Sequence, residues 1–253
     1  MSLAACADLV QRGDPDRFAA VMAAPGGVRA RLWPLYAFNL EVARAPWVTK
    51  EPMIAEMRLQ WWRDVVAEAA PRAHEVAGPL HDLIRATGLP VAVLDRMAAA
   101  RVWDAYSDPF EDQRDFDRYL EETGAGLMWA AAKVCGAADQ AEAAVRAYGW
   151  AAGLAGYLRA VPELEKRGRV PLVDGRAEAV QDLARRGLDK IAVARAGRGL
   201  VGQAAPALLA GWQAEALLQQ VAADPRVVAA GLMGLSEFSR RGRLVWQAFS
   251  GRW

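Results

Sequence analysis

Apolar residues recur at helical spacing along nearly the whole chain. Leu32, Tyr36, Leu40 and Ala43 form one stripe between residues 28 and 45. Ile54, Met57, Trp61 and Val65 form the next. Both match the 3.6-residue period of a helix with one buried face. Alternating strand patterns bounded by turn pairs are missing, so the pattern predicts an all-α chain. Proline and glycine mark the expected boundaries. Asp14-Pro15 reads as a cap with proline in the first turn. Pro25-Gly26-Gly27 predicts a break, Pro46 an end or kink, and Pro52 a start. Gly78-Pro79 predicts a stop ahead of a helix over 80–86, and Pro90 opens one through Trp103. Ser107-Asp108-Pro109 reads as a loop. Two long helices are expected over 114–136 and 139–161, with Pro162 ending the second and 163–175 forming a polar connector. Three more are expected near 176–196, 203–222 and 225–249. No internal repeat or dividing linker is visible, which predicts one domain over residues 1–253 with about nine to eleven helices.

Composition narrows the function classes. A chain of 253 residues can bury a large core without staples. With 54% hydrophobic and 24% charged residues it is no disordered chain. A net charge of +1 argues against a dedicated nucleic-acid binder. Cys6 and Cys135 are too far apart in sequence for a zinc or redox motif, which fits a reducing compartment. The apolar start is cut short by Asp8 and Arg12, before a secretory core could form. No run approaches the roughly 18 apolar residues of a membrane span. The expected location is the cytoplasm.

General catalytic signals are few. His74 and His81 read as solvated or capping histidines, and Gly124-Ala125-Gly126 reads as a close helix contact. The acidic run Asp104, Asp108, Glu111, Asp112, Asp115, Asp117 has two readings. Asp104 and Asp108 are four apart, so on a helix they share a face and could hold a magnesium ion. Alternatively, Ser107 and Pro109 end the helix there and leave a solvated acidic junction.

Several segments resemble the squalene/phytoene synthase family. They are Leu35-Tyr36-Ala37-Phe38, then Arg58-Leu59-Gln60-Trp61-Trp62-Arg63-Asp64, then Tyr119-Leu120-x-x-Thr123-Gly124-Ala125-Gly126. The stretch from Gly153 to Val170 lines up with the family's second aspartate-rich helix. The resemblance covers about residues 14–175. It implies an isoprenoid synthase fold around a central cavity. In active members, aspartates on two facing helices bind magnesium ions that neutralise diphosphate as two allylic diphosphates are joined.

The chain departs from the family at those aspartates. The first motif's positions hold Leu40, Ala43, Arg44 and Trp47. In the second motif Gly153 and Gly156 replace Gln and Asn, and Ala160 and Leu164 replace the two key aspartates. Arg159, Glu163 and Arg169 remain. Losing a single transition-state donor costs about 10²–10³ in rate. The resemblance therefore implies no ordinary synthase activity, no catalytic residues and no cofactor. Magnesium enters only if the chain is a divergent prenyl transferase that recruits Asp104, Asp108 or Glu163.

Ala37-Phe38-Asn39-x-Glu41-x-Ala43 and Met57-Arg58-x-Gln60-x-Trp62 resemble a non-catalytic branch of the same family, which includes the mitochondrial complex I assembly factor. That likeness implies an assembly or interaction role with a protein partner, such as a respiratory complex subunit, and no nucleic acid. A lipid or isoprenoid carrier using the old cavity is the third reading. The family's cavity makes Tyr36, Phe38, Trp61 and Trp129 the expected lining of a retained apolar pocket, and the alternative leaves Trp61 and Trp129, with Trp33, Trp62 and Trp150, simply in the core. Arg159 and Arg169, with Arg167 beside them, are candidates for an anion or lipid phosphate. The alternative leaves Arg167 and Arg169 in a solvated connector and pairs Arg159 with a carboxylate. The basic, amphipathic stretch from Phe238 to Trp253 could lie on an anionic membrane surface, on the inner face, or be a last packed helix with a solvated basic side.

Overall fold

The computed structural model describes residues 2–253. Its elements are helical, and no strand occurs among the described residues. Helix α1 (Leu3–Gly13) and α2 (Pro15–Ala23) meet at Asp14, whose carboxylate accepts from the Arg17 N–H as an N-cap. Helix α3 (Gly26–Arg44) is almost wholly buried from Leu32 to Leu40. Helices α4 (Pro52–Ala67), α5 (Ala77–Thr87) and α6 (Val91–Ala100) follow. Then α7 (Gln113–Leu120) runs through a π turn (Glu121–Ala125) into α8 (Gly126–Val134). Helix α9 (Glu142–Lys166) is the central rod. One flank packs on α10 (Ala177–Ala196), the other on the π turn and α8. The tail holds α11 (Arg198–Val201), α12 (Ala214–Ala223), α13 (Arg226–Ala229) and α14 (Glu237–Ser250). No helix is long and apolar enough to cross a membrane among the described residues.

Several boundaries differ from those read in the sequence. Pro162 does not end α9, which continues to Lys166. Proline removes one backbone donor and typically costs about 3 kcal/mol inside a helix. Here Val161 and Leu164 on either side are buried, and the Arg169 N–H closes the helix end on the Leu164 carbonyl. Gly78-Pro79 does not precede α5 but lies in its first turn, where a missing N–H costs no intrahelical bond. Gly26 and Gly27 open α3 rather than separating it from α2. The stretch expected as one helix over 203–222 is a 3-10 segment (Gly202–Gly211) followed by α12. The one expected over 225–249 is α13, a loop and α14. Pro206 and the positive-φ glycines Gly202 and Gly231 make these breaks.

Candidate functional site

A cavity of about 560 Å³ opens between α3, α7–α8 and α9. Its position depends on a close crossing of α9 with the π turn. Gly124 faces Gly149 and Gly153 there, and a Cβ on Gly124 would lie 2.8 Å from the Gly153 Cα. A Cβ on Gly149 would lie 2.5 Å from the Met128 Cβ. Only glycine lets the two backbones approach so closely. This is the close contact expected of Gly124.

Below the crossing, α9 turns Gly156, Ala160 and Leu164 toward the cavity. They follow Gly153 at helical spacing and so occupy one face. From the opposite side Ala43 and Trp47 line the same space. Ala43 and Trp47 of the first motif thus face Ala160 and Leu164 of the second across one cavity, and none of these four is a carboxylate. Leu40 is buried instead, and Arg44 reaches toward Gly13.

Two carboxylates do line the cavity, and both are engaged. Asp104 is 5% exposed. It accepts from Arg101 Nη1 at 3.1 Å and from the Tyr119 hydroxyl at 3.0 Å. Tyr119 in turn accepts from Arg101 Nη1 at 2.7 Å. Burial pushes the Tyr119 phenol well above its ordinary pKa, so it is the neutral O–H that donates. This buried triad corrects the reading of Asp104 as part of a solvated acidic junction. Asp108 is exposed in the following loop and shares no helix face with it. Glu163 accepts from Arg167 Nε at 2.9 Å at the cavity mouth. No three His, Cys, Asp or Glu side chains converge on a common point among the described residues. The residues present therefore do not fit the magnesium–diphosphate clamp of active family members, which needs several free carboxylates.

Three arginines accompany the two carboxylates. Arg17, Arg101 and Arg167 contribute to an otherwise largely apolar lining. Arg167 stacks over Trp47 at 4.8 Å, and Arg169 lies over Trp103 at 4.9 Å and donates to the Trp103 carbonyl. Arg169 is therefore buried, not part of a solvated connector. Arg159 lies outside the cavity lining and pairs with Asp16 at 3.4 Å. The structure does not bring Arg159 and Arg169 together as one anion site.

Of the four aromatic residues expected in the lining, Tyr36 is there. Phe38 is fully buried edge-on to Trp62. Trp61 is half-buried near the surface, against His74 and Arg72. Trp129 is a core residue beneath Lys133. These three correct the expected lining, because helical spacing places a residue on a face without saying which face meets the void. His81 is buried rather than solvated, with Nε2 3.1 Å from the Glu68 carbonyl. Sequence reading missed Arg17, Arg101 and the arginine–tryptophan stack. The spacing of Arg101 three residues before Asp104 was the available signal for the triad.

The squalene/phytoene synthase family profile matches residues 10–248. A curated relative, "NADH dehydrogenase (ubiquinone) complex I, assembly factor 6 homolog" of Drosophila melanogaster, is 30% identical over 178 residues, 66% of this chain and 53% of that protein. The human complex I assembly factor 6 is 25% identical over 169 residues, 65% of this chain and 51% of that one. The chain spans about half the length of these relatives. Among solved structures, a dehydrosqualene synthase in complex with ligand superposes with a TM-score of 0.76 at 14% identity, covering 98% of this chain and 95% of that one. The squalene synthase HpnC from Alicyclobacillus acidocaldarius gives 0.59 at 17% identity, covering 98% and 94%. At these identities the superpositions speak to the fold.

Proposed function

The chain belongs to the squalene/phytoene synthase family, and from that premise we propose that it works as a non-catalytic assembly or interaction factor, with respiratory complex I as its target. One observation carries the reading. The two facing walls that hold the family's aspartate motifs carry Ala43, Trp47, Gly156, Ala160 and Leu164, and the two remaining carboxylates are tied to Arg101 and Arg167. A cavity so lined lacks the free carboxylates of a metal clamp, through which the family's magnesium ions neutralise a leaving diphosphate. The name of the relatives supplies the target. The protein's partner is then a respiratory complex subunit, met at the inner face of the membrane. Deleting the gene is expected to remove NADH–quinone activity and to leave partial complex I assemblies on native gels. Full activity in the deletion strain overturns the complex I reading.

The void itself supports a second reading. About 560 Å³ with mostly apolar walls and arginines at its edge is a volume suited to an amphiphile with an anionic head. Calorimetry with non-hydrolysable farnesyl diphosphate analogues separates the two. Magnesium-independent binding supports a lipid or isoprenoid carrier, no binding supports the interaction role alone, and tight binding that requires magnesium restores the prenyl transferase.

A further inference from the structure

Helix α14 is set inside out. Its solvent face carries Phe238 at 90%, Phe249 at 89%, Val245 at 68% and Trp246 at 59% exposure. These residues and Gly242 form one stripe along the helix. The inward face is the poorer in apolar mass. It offers Leu244 to a small cluster with Ala20, Ala24, Leu209 and Trp212.

The orientation is held at both ends. Arg240 pairs with Asp16 on α2, which also meets Arg159 of α9. Burial alone would raise the Asp16 carboxyl, but Gln213 and the two guanidiniums outweigh it and hold it below its ordinary pKa. Midway, Gln247 donates to the Trp212 carbonyl at 3.2 Å. Past the helix, Trp253 is buried against Tyr148, and Arg195 donates to its carbonyl at 3.0 Å. With these brackets the helix cannot roll its aromatic side inward without losing an ion-pair network and a buried tryptophan.

We propose that this stripe seats α14 in the surface of an anionic lipid bilayer. Charge selects that occupant. Residues 237–252 contain four arginines and one glutamate, and Glu237 is engaged by Arg240 and Arg241. Arg241, 81% exposed, stands in the stripe itself, and Arg252 is exposed beyond the helix end. Shape agrees, because aromatic side chains stand out from the helix. A helix lying in the interface places Trp and Phe at the headgroup boundary and its arginines against lipid phosphates. The assignment stands apart from the complex I role, since lipid binding alone reads it.

The test is cosedimentation of the full chain with phosphatidylcholine vesicles, with and without phosphatidylglycerol. The expected result is binding that requires phosphatidylglycerol and weakens with salt. Phe238→Ser/Phe249→Ser is expected to reduce it at least about tenfold, since two large apolar side chains leave the lipid. Arg241→Glu is expected to reduce it as well. All three positions are exposed, so unchanged circular dichroism melts will show that the variants are folded. Brominated lipid should quench tryptophan fluorescence in the wild type and less in Trp246→Phe. Absence of wild-type binding, equal binding to neutral vesicles, or binding indifferent to these substitutions overturns the proposal. So does a dimer in solution that the Phe238→Ser/Phe249→Ser variant abolishes while vesicles have no effect; the stripe is then a protein interface.

Discussion

Replacing Asp104 with asparagine separates a structural ion pair from a metal ligand. The substitution keeps the side-chain volume and an acceptor for Tyr119. It removes the carboxylate bonded to Arg101, whose side chain is 21% exposed against 4% for Asp104. Removing one member of a buried pair typically costs about 3–5 kcal/mol, because the other charge is left desolvated and unpaired. Arg101 keeps an edge in water and its 2.7 Å bond to Tyr119, so the expected cost lies near the lower end, about 3 kcal/mol. For a chain of this length each kcal/mol lowers Tm by about 2–4 °C. Asp104→Asn should therefore melt roughly 6–12 °C below the wild type by scanning calorimetry. Removing both charges, as Asp104→Asn with Arg101→Met, should recover part of that loss, since an apolar replacement leaves no orphaned ion. Magnesium should leave the wild-type melt unchanged. The reasoning fails if Asp104→Asn melts within about 2 °C of the wild type. It also fails if magnesium raises the wild-type Tm and not the variant's, for then Asp104 is a ligand.

Two further predictions concern packing and the buried thiols. Gly149→Ala should destabilise by about 1–3 kcal/mol through the clash with Met128 and Ala125, whereas Gly156→Ala, with nothing within 4 Å of its Cβ, should stabilise by about 0.5–1 kcal/mol through helix propensity. Thermal melts of the two single variants check this, and equal signs would refute the crossing. Burial pushes the Cys6 thiol up to about 11 and the Cys135 thiol to about 12. A group whose folded pKa is raised contributes stability that is complete below its unfolded value, near 9 for a thiol, and is lost as pH rises through the folded one. Urea midpoints should thus fall above about pH 9, and a thiol reagent at pH 8 should react only as fast as the chain opens; immediate labelling of either cysteine would contradict their burial.

The helical class, the order of the long helices and the facing motif positions were all legible in the sequence. The first two depend on local period and spacing, which a single chain carries, and the motif positions follow from the resemblance to the family. Leu32, Tyr36 and Leu40 recur because α3 is buried along much of its length. What the sequence did not disclose depends on partners distant in the chain. Pro162 reads as a stop because proline lacks a donor, and nothing nearby in sequence shows that Val161 and Leu164 anchor the last turn of α9. Arg169 reads as solvated because its neighbours are polar, yet Trp103, sixty-six residues earlier, receives it. Phe38 and Trp129 read as cavity lining because they are large and apolar, and so is the core that encloses them.

Along helix α9 the positions that hold the crossing are separate from those that match the family's aspartates. Along one rod, Gly149 and Gly153 meet the π turn, while Gly156, Ala160 and Leu164 face the void. At the first pair a Cβ would come within 2.5–3.1 Å of Met128 and Gly124, so any added atom forces the backbones apart. Gly156 and Ala160 border open space, so their side chains can change without moving the helix, whereas Leu164 also packs into the core. Carboxylates at those positions would repel one another unless a cation neutralised them. Ala160 and Leu164, where the family has aspartates, bring no such repulsion, and the crossing above them is intact. The same division holds for Asp104. Tied into the wall by Arg101 and Tyr119, its carboxylate stabilises the cavity's shape and is engaged in bonds within the protein.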